Sequence, residues 1–197
     1  VIFTIGGILE QAHATDWLQF GYDTAHSGFN RAERGYPTQT GNRIVFHYTL
    51  PAGAGLVDTA PVYLGDVSTA SGKRNVLFLV SKNGTLLALD ADSPTLNVLW
   101  SKHPVGAGLV TNGAAAIGPD LLYVYAYGLD GKVHKYHVGD GSEVTGSGWP
   151  QVSSLKPEQE KGAAGLNIAT AQNGTSYLYS VVSGYIDDTN DYQGHVT

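Results

Sequence analysis

Residues 76–100 read VLFLVSKNGTLLALDADSPTLNVLW, and this stretch decides the fold. An apolar run leads into Asn83-Gly84, a second apolar run ends on Asp90, and a third short run closes on Trp100. Asn-Gly between two apolar runs is the strongest short-range signal for a β-hairpin. The stretch therefore predicts three consecutive antiparallel strands that are joined by tight turns.

The composition of the 197-residue chain favours the same kind of structure. Glycine (26 residues) and tyrosine (12 residues) are abundant while charged residues make up 14%, which suits many short strands joined by turns. The net charge of −6 argues against nucleic-acid binding, because that function needs clusters of basic residues. The chain has no cysteine, which excludes disulfides, thiolate metal ligands and a cysteine nucleophile.

The first fourteen residues have the features of the end of a secretory signal. Residues 1–9 are mostly apolar but too few to span a bilayer, and Ala12-His13-Ala14 has the small–x–small pattern of a signal-peptidase site. We predict that residues 1–14 are the remnant of a signal peptide and that the protein is secreted or periplasmic. A buried N-terminal strand is the alternative. No other segment approaches transmembrane length, so we predict no membrane span.

An internal repeat runs through the rest of the chain. Ala-Gly-Leu occurs three times, with its glycine at Gly55, Gly108 and Gly165. An apolar run follows each copy, at residues 76–80, 121–127 and 177–182. A glycine-containing hairpin follows each run, at Gly84, at Gly131 and in an Asp-rich loop that ends near Gly194. The first two units close on a tryptophan, Trp100 and Trp149.

Several strands repeated with a period of about fifty residues are typical of β-propeller blades. The middle strand of a blade is covered on both faces, which explains why the runs are continuously apolar. We predict an all-β fold, an incomplete propeller of four-stranded antiparallel blades within residues 15–197. The units would span about 54–101, 107–150 and 164–197, giving about two full blades plus partial ones of a longer propeller. A β-sandwich, which also uses regular short strands, is the alternative.

The repeated residues have a structural interpretation. Glycine at the start of each inner strand allows close approach of the backbones, and the hairpin glycines supply the turn conformation. The alternative for the Ala-Gly-Leu copies is a ring of backbone groups that lines an axial pocket. Each closing tryptophan is predicted to lie between neighbouring sheets, where such a side chain buries about 150–250 Å².

The repeat resembles that of the PQQ-binding-like β-propeller family. The similarity lies in Ala60-Pro61-Val62, in residues 83–90 (NGTLLALD) and in Leu99-Trp100, with a looser second copy at residues 131–137. Residues 16–33 (DWLQFGYDTAHSGFNRAE) also resemble the opening of such propellers. Some members of this family are quinoprotein dehydrogenases, which oxidise alcohols or sugars with pyrroloquinoline quinone (PQQ) and Ca²⁺. Others, the BamB-like scaffolds, bind protein partners without a cofactor.

The resemblance implies two functions for this chain. We predict a binding or scaffold module whose partner, a protein or a small molecule, occupies the propeller face. The alternative is a quinoprotein dehydrogenase that uses PQQ and Ca²⁺, although the cysteine pair found in many such enzymes is absent. No catalytic or cofactor-binding residue is assigned from the sequence, and PQQ and Ca²⁺ are implied by the resemblance alone.

Three acidic residues form the one candidate metal site in the sequence. Asp187, Asp188 and Asp191 offer oxygen ligands of the kind that Ca²⁺ prefers. The segment lacks the glycine and the distal glutamate of an EF-hand loop, so that motif is not met. A solvated hairpin tip is the alternative.

Other polar residues are predicted to be structural. His134 and His137 are three positions apart, so on a strand they point to opposite faces and do not share a metal ion. Residues 155–162 (LKPEQEKG) form a charged insertion that we predict to protrude as a loop. No serine lies in a Gly-x-Ser-x-Gly context, so the sequence gives no support for nucleophilic catalysis.

Overall fold

The structure is a computed structural model that describes residues 15–32, 48–185 and 192–197. Within these ranges the chain is all-β, without a helix, and its strands form antiparallel sheets of two to four strands. The predicted fold class is confirmed at this level. The described ranges contain no helix with the length and hydrophobicity needed to cross a membrane. The predicted signal segment, residues 1–14, lies outside the described residues.

The first two sheets are four-stranded and have the same topology, with strands paired in chain order. The first sheet consists of β1 (Val62–Thr69), β2 (Gly72–Val80), β3 (Leu86–Asp90) and β4 (Val98–Lys102). The second sheet consists of β5 (Ala116–Ile117), β6 (Tyr123–Tyr127), β7 (Lys132–His137) and β8 (Gln151–Val152). Residues 76–100 thus lie in β2, β3 and β4 and in the turns between them, with the predicted hairpin between β2 and β3.

The remaining strands form two smaller sheets, which together we call the third unit. They are β9 (Glu160–Gly162), β10 (Asn167–Thr170), β11 (Ser176–Tyr179), β12 (Val181–Gly184) and β13 (His195–Val196). β10 pairs with β11, and β12 lies between β9 and β13. Because only Ser180 separates β11 from β12, the two sheets share one nearly continuous line of backbone.

The first and second sheets pack face to face. Val76, Phe78 and Val80 of β2 are completely buried, and they share one hydrophobic core with Val124 and Ala126 of β6. These residues alternate along their strands, so each strand gives one of its faces to this core.

The opposite face of the second sheet packs on the third unit. Tyr127 of β6 is buried in a second core that also contains Val182 of β12, with Tyr125 and Leu178 packed against it. Both faces of β6 are therefore covered, and this explains why the sequence of that strand is continuously apolar.

Each closing tryptophan lies at one of these two contacts. The Trp100 ring packs between Phe78 and Tyr136, with ring centroids 5.6 and 6.4 Å away, and its indole N–H donates to the carbonyl oxygen of Val138 at 3.1 Å. Trp100 thereby joins the last strand of the first sheet to β7 of the second. Trp149 packs on Tyr125 at 5.2 Å, on the side of the third unit.

Three hairpins have the same hydrogen-bond pattern, with their glycines at Gly84, Gly131 and Gly174. The φ angles of these glycines are +77°, +79° and +83°. In each hairpin the Asn or Asp before the glycine accepts a hydrogen bond from the backbone N–H two residues later, at 3.0–3.2 Å. A left-handed glycine combined with such a side-chain bond is the chemistry that tight turns favour.

The opening segment crosses one strand of each of the three units. Residues 16–19 run past the exposed edges of β1, β5 and β10, where backbone groups would otherwise lack partners. The contacts are the reciprocal backbone bonds of Trp17 with Tyr63 (2.9 Å each), a bond from Ile117 N to Leu18 O (2.7 Å) and a bond from Ile168 N to the Gln19 side-chain oxygen (2.8 Å). One short segment therefore ties three sheets together.

We expect Phe78→Ala to lower the free energy of unfolding by about 3–5 kcal/mol, because it leaves a cavity between the first two sheets. Phe29→Ala is the matched control, since Phe29 is 61% exposed whereas Phe78 is completely buried. The control should change the free energy by no more than about 0.5 kcal/mol. Urea denaturation measures both, and equal effects would contradict the packing described.

Substitution of two hairpin glycines by alanine distinguishes the energetic cost of backbone strain from that of a steric clash. A Cβ at Gly174 meets nothing within 4 Å, whereas a Cβ at Gly131 lies 2.6 Å from the carbonyl oxygen of Ser154. Gly174→Ala should therefore lower the free energy of unfolding only by the cost of holding alanine in the left-handed conformation, about 1–2 kcal/mol. Gly131→Ala should lower the free energy of unfolding by clearly more, because the new Cβ also clashes with the carbonyl oxygen of Ser154. Thermal or urea denaturation compares the two, and the reverse order would show that the contact with Ser154 is not rigid.

Candidate ligand-binding pocket

The predicted calcium ligands cannot be placed in the structure. Asp187, Asp188 and Asp191 lie outside the described residues, so the calcium site stays a prediction. Within the described ranges, no group of three or more His, Cys, Asp or Glu side chains has the arrangement of a metal site.

The three Ala-Gly-Leu segments do not form equivalent contacts. A Cβ at Gly55 would lie 3.0 Å from the Asn83 side chain, and Gly108 N donates to the carbonyl oxygen of Leu129 at 2.8 Å. The first two segments therefore lie against the hairpin of their own sheet. Gly165 instead lies against Phe20 of the opening segment. A Cβ at Gly165 would lie 3.0 Å from the Cβ of Phe20. Close packing accounts for all three glycines, but the neighbours differ.

His134 and His137 point to opposite faces of β7, as the spacing predicted. His137 is exposed, whereas the side chain of His134 is 7% exposed and lies between two carboxylates. The Nε2 atom of His134 is 3.0 Å from Asp130 Oδ1, and its Nδ1 atom is 2.6 Å from Glu143 Oε1. Both ring nitrogens therefore have a protein partner, which indicates a structural rather than a ligand-binding role.

The charges of this cluster stabilise one another. Burial alone lowers the pKa of His134, but the hydrogen bonds to Asp130 and Glu143 and their negative charges outweigh it, so the pKa is raised above 6.5. Burial acts to raise the pKa of Asp130, but the hydrogen bond and charge of His134 bring it below 3.8. The folded protein therefore favours an imidazolium beside a carboxylate.

These shifts give stability a defined pH dependence. Since the folded-state pKa of His134 is raised, its contribution is complete below about pH 6.5 and is lost as the pH rises through that pKa. Since the folded-state pKa of Asp130 is lowered, its contribution is present above about pH 3.9 and is lost as the pH falls through that pKa. The cluster should stabilise the fold most between these limits.

We expect His134→Gln to destabilise the protein by about 1.5–3 kcal/mol at pH 5–6, the range for hydrogen bonds to charged groups. The loss should become smaller as the pH is raised to 9. His137→Gln, which changes an exposed side chain on the opposite face of the same strand, is the control and should have a small effect. Urea denaturation across this pH range measures both. A loss that is the same at every pH would contradict the charged cluster.

A pocket of about 530 Å³ lies beside the third unit. It is formed where the connection from β8 to β9 meets β13. Its lining residues are Val152, Ser153, Leu155, Lys156, Glu160, Gln193, His195 and Thr197. None of these residues is predicted from the sequence to be functional.

Glu160 is the most unusual of these residues, because its carboxylate is buried in the wall of the pocket. The residue is 4% exposed, and it accepts hydrogen bonds from the Ser154 hydroxyl and from the backbone N–H of Gln193, the latter at 3.4 Å. Both of these donors, a hydroxyl group and a backbone N–H group, are uncharged. A buried carboxylate is costly unless it is well paired.

His195 adds a second polar group to the pocket. Its Nδ1 atom is 2.8 Å from the carbonyl oxygen of Gln193, and its Nε2 atom is 2.7 Å from that of Ser153. Carbonyl oxygens only accept, so both bonds form together only when the ring is an imidazolium. These two bonds raise the pKa of His195 above its ordinary value. The pocket therefore combines a carboxylate with a side chain that favours the positive form.

The arrangement is suited to recognition rather than to nucleophilic chemistry. His195 contacts the backbone oxygen of Ser153, while the Ser153 hydroxyl bonds to the hydroxyls of Ser180 (2.8 Å) and Thr197 (3.1 Å). A nucleophilic serine needs its own hydroxyl in contact with the base. His195 therefore does not activate Ser153 as a nucleophile, and the pocket is a candidate binding site rather than a candidate catalytic site.

The expectation for Glu160 is wrong. Residues 155–162 were predicted to protrude, and Leu155 does so, with 88% of its surface exposed. Glu160, however, begins β9 and pairs with Gly184 of β12. A run of charged residues is normally solvated, and only the partner strand, more than twenty positions later, turns this glutamate inward.

No protein-family model matches the chain, and no curated protein is similar enough to be matched.

Proposed function

We propose that this chain is part of a PQQ-like β-propeller, secreted or periplasmic, that acts as a binding module. The observation that carries the proposal is the stacking of three antiparallel units in chain order, with both faces of the second sheet covered. In a β-sandwich each sheet packs on its partner through one face. Propeller blades are covered on both faces by their neighbours, so this stacking favours the propeller over the sandwich.

The Glu160 pocket is the ligand site in this proposal. It lies at the ends of strands and in connecting segments, where binding residues are commonly placed on a rigid scaffold. An ionised carboxylate has about four acceptor positions, and the described residues supply two donors to Glu160. The remaining positions suit ligand hydroxyl groups, and Ser153 and Thr197, which carry hydroxyl groups, line the same space. We therefore propose a ligand with several hydroxyl groups, a sugar or polyol.

Isothermal titration of the 197-residue chain with a panel of monosaccharides and polyols tests the ligand class. We expect saturable binding that is weakened at least about tenfold in Glu160→Gln, because a hydrogen bond to a charged acceptor contributes about 1.5–3 kcal/mol. Glu158→Gln is the matched control, since Glu158 is exposed and does not line the pocket. Thermal denaturation of both variants checks that the fold is retained.

Two outcomes would overturn parts of the proposal. If no sugar or polyol binds to the folded wild-type chain, the ligand class is wrong. If addition of PQQ with Ca²⁺ gives saturable binding and dye reduction with alcohols or sugars, the protein is a quinoprotein dehydrogenase rather than a binding module. The two experiments use the same protein sample and give separate answers.

A further inference from the structure

A second pocket, of about 790 Å³, lies between the first and second sheets, and we call it the inter-sheet pocket. One wall is the end of β1, and the other is formed by residues 121–122 and 137–142 of the second sheet. Because consecutive turns of a meander alternate between the two ends of its strands, this pocket lies opposite the hairpins of Gly84 and Gly131. Both walls belong to neighbouring units, so the pocket does not depend on the outer faces of the stack.

Backbone contacts hold the two walls of the inter-sheet pocket in place. A Cβ at Gly139 would lie 2.3 Å from the carbonyl oxygen of Ser68, so the backbones of the two sheets touch at this point. Within the second sheet, the backbone N–H of Val138 donates to the carbonyl oxygen of Leu122 at 3.0 Å. The pocket is therefore formed by the packing of the sheets, as small-molecule sites commonly are.

Much of the surface of the inter-sheet pocket is apolar. Leu64, Val67 and Val138 line it and are buried. Leu121 and Leu122 also line it, and they are 39% and 57% exposed. Two adjacent leucines thus stay accessible to solvent beside a buried apolar surface, where an aliphatic group of a ligand would remove all of them from water.

The backbone of Leu121 has a conformation that is unfavourable for leucine. Its φ angle is +59°, and its N–H donates to the carbonyl oxygen of Gly118 at 2.9 Å in the turn between β5 and β6. Glycine, asparagine and aspartate adopt the left-handed region more readily than leucine does. Strained residues of this kind are concentrated at binding and catalytic sites, so a leucine at this position favours a role in the pocket.

Asp66 on the opposite wall is positioned by a β-bulge. The pairing of β1 with β2 shifts in register between Leu64 and Val67, and Asp66 lies within this bulge with a φ angle of +54°. Its backbone N–H donates to the side-chain oxygen of Asn75 at 3.2 Å. Bulges commonly reorient a side chain next to a functional site. Among the described residues, the Asp66 carboxylate forms no hydrogen bond or ion pair.

The charges around the inter-sheet pocket favour a cation. Two aspartates line it, Asp66 and Asp140, whereas none of its lining residues is lysine or arginine. Asp140 Oδ1 accepts hydrogen bonds from the backbone N–H (2.8 Å) and the hydroxyl (2.7 Å) of Ser142. These bonds lower the pKa of Asp140, and the positive charge of Lys102 adds to the effect. Asp140 is therefore partly satisfied within the protein, while Asp66 has no such partner among the described residues.

We infer that the inter-sheet pocket binds a small organic cation, an aliphatic ammonium compound. Its ammonium group lies beside Asp66, and its aliphatic part packs on Leu121 and Leu122. The volume of the pocket is in the range of small-molecule sites. The negative lining attracts a cation and repels an anion with the same aliphatic part.

This inference is independent of the proposed sugar or polyol site. The inter-sheet pocket and the Glu160 pocket share no lining residue, and only the latter lies beside the third unit. Absence of sugar binding would therefore leave the cation site intact, and absence of cation binding would leave the sugar site intact.

Isothermal titration of the 197-residue chain with hexylammonium, hexanol and hexanoate tests the inference, because the three probes share one aliphatic chain and differ in charge. We expect saturable binding that is tightest for hexylammonium and weakest for hexanoate. Asp66→Asn should weaken hexylammonium binding at least about threefold, within the range for one exposed ion pair. Asparagine adopts the left-handed region readily, so this variant removes the charge and keeps the bulge. Glu158→Gln is the control, since Glu158 is exposed and does not line the pocket.

Leu121→Gly tests the apolar wall. This substitution relieves the left-handed strain, which offsets the loss of a partly buried side chain, so the melting temperature should change little. Hexylammonium binding should nevertheless be weakened, because the aliphatic part of the ligand loses a contact. Absence of saturable hexylammonium binding to the folded wild type would overturn the inference. Binding that is equally tight in wild type, Asp66→Asn and Leu121→Gly would also overturn it, as would tighter binding of hexanoate.

Discussion

The burial of both faces of one short strand, β6, is the constraint on which the rest of the structure depends. Val124 and Ala126 face the first sheet, while Tyr125 and Tyr127 face the third unit. A strand without a polar face has no stable position at the surface, so a neighbour is required on each side. The tight hairpins follow from this arrangement, because successive strands of one meander must reverse direction within a few residues. The two tryptophans fill the space where neighbouring sheets meet.

Local signals in the sequence were sufficient for the all-β class, the hairpins at Gly84 and Gly131 and the opposite orientations of the two histidines on β7. Each depends on residues within a few positions of one another, where turn chemistry and strand alternation act directly. The buried position of Glu160 was not predictable in this way, because it is set by pairing with Gly184. The hydrogen bonds between residues 16–19 and three separate strands were likewise not predictable from the sequence, since their partners are distributed over more than a hundred positions.

Two buried ionisable residues show how hydrogen bonding separates a structural group from a candidate binding group. His134 has a carboxylate on each ring nitrogen, so its polar capacity is used within the protein. Glu160 has two neutral donors among the described residues and lies in the wall of a pocket. Both are shielded from water, but the described residues occupy both ring nitrogens of His134 and only part of the acceptor capacity of Glu160. The distinction comes from counting donors and acceptors rather than from burial.

The path of residues 16–19 has a consequence for how the protein unfolds. In a simple repeat array each unit contacts only its neighbours, and the ends can separate from the middle at little cost. Here Trp17 is hydrogen-bonded to the first unit and Gln19 to the third, so one short segment links two units that are not consecutive in the chain. Its full set of bonds forms only when all three units are in place, which couples the opening of one end to that of the other. The chain should consequently lose its structure in a single cooperative transition rather than unit by unit.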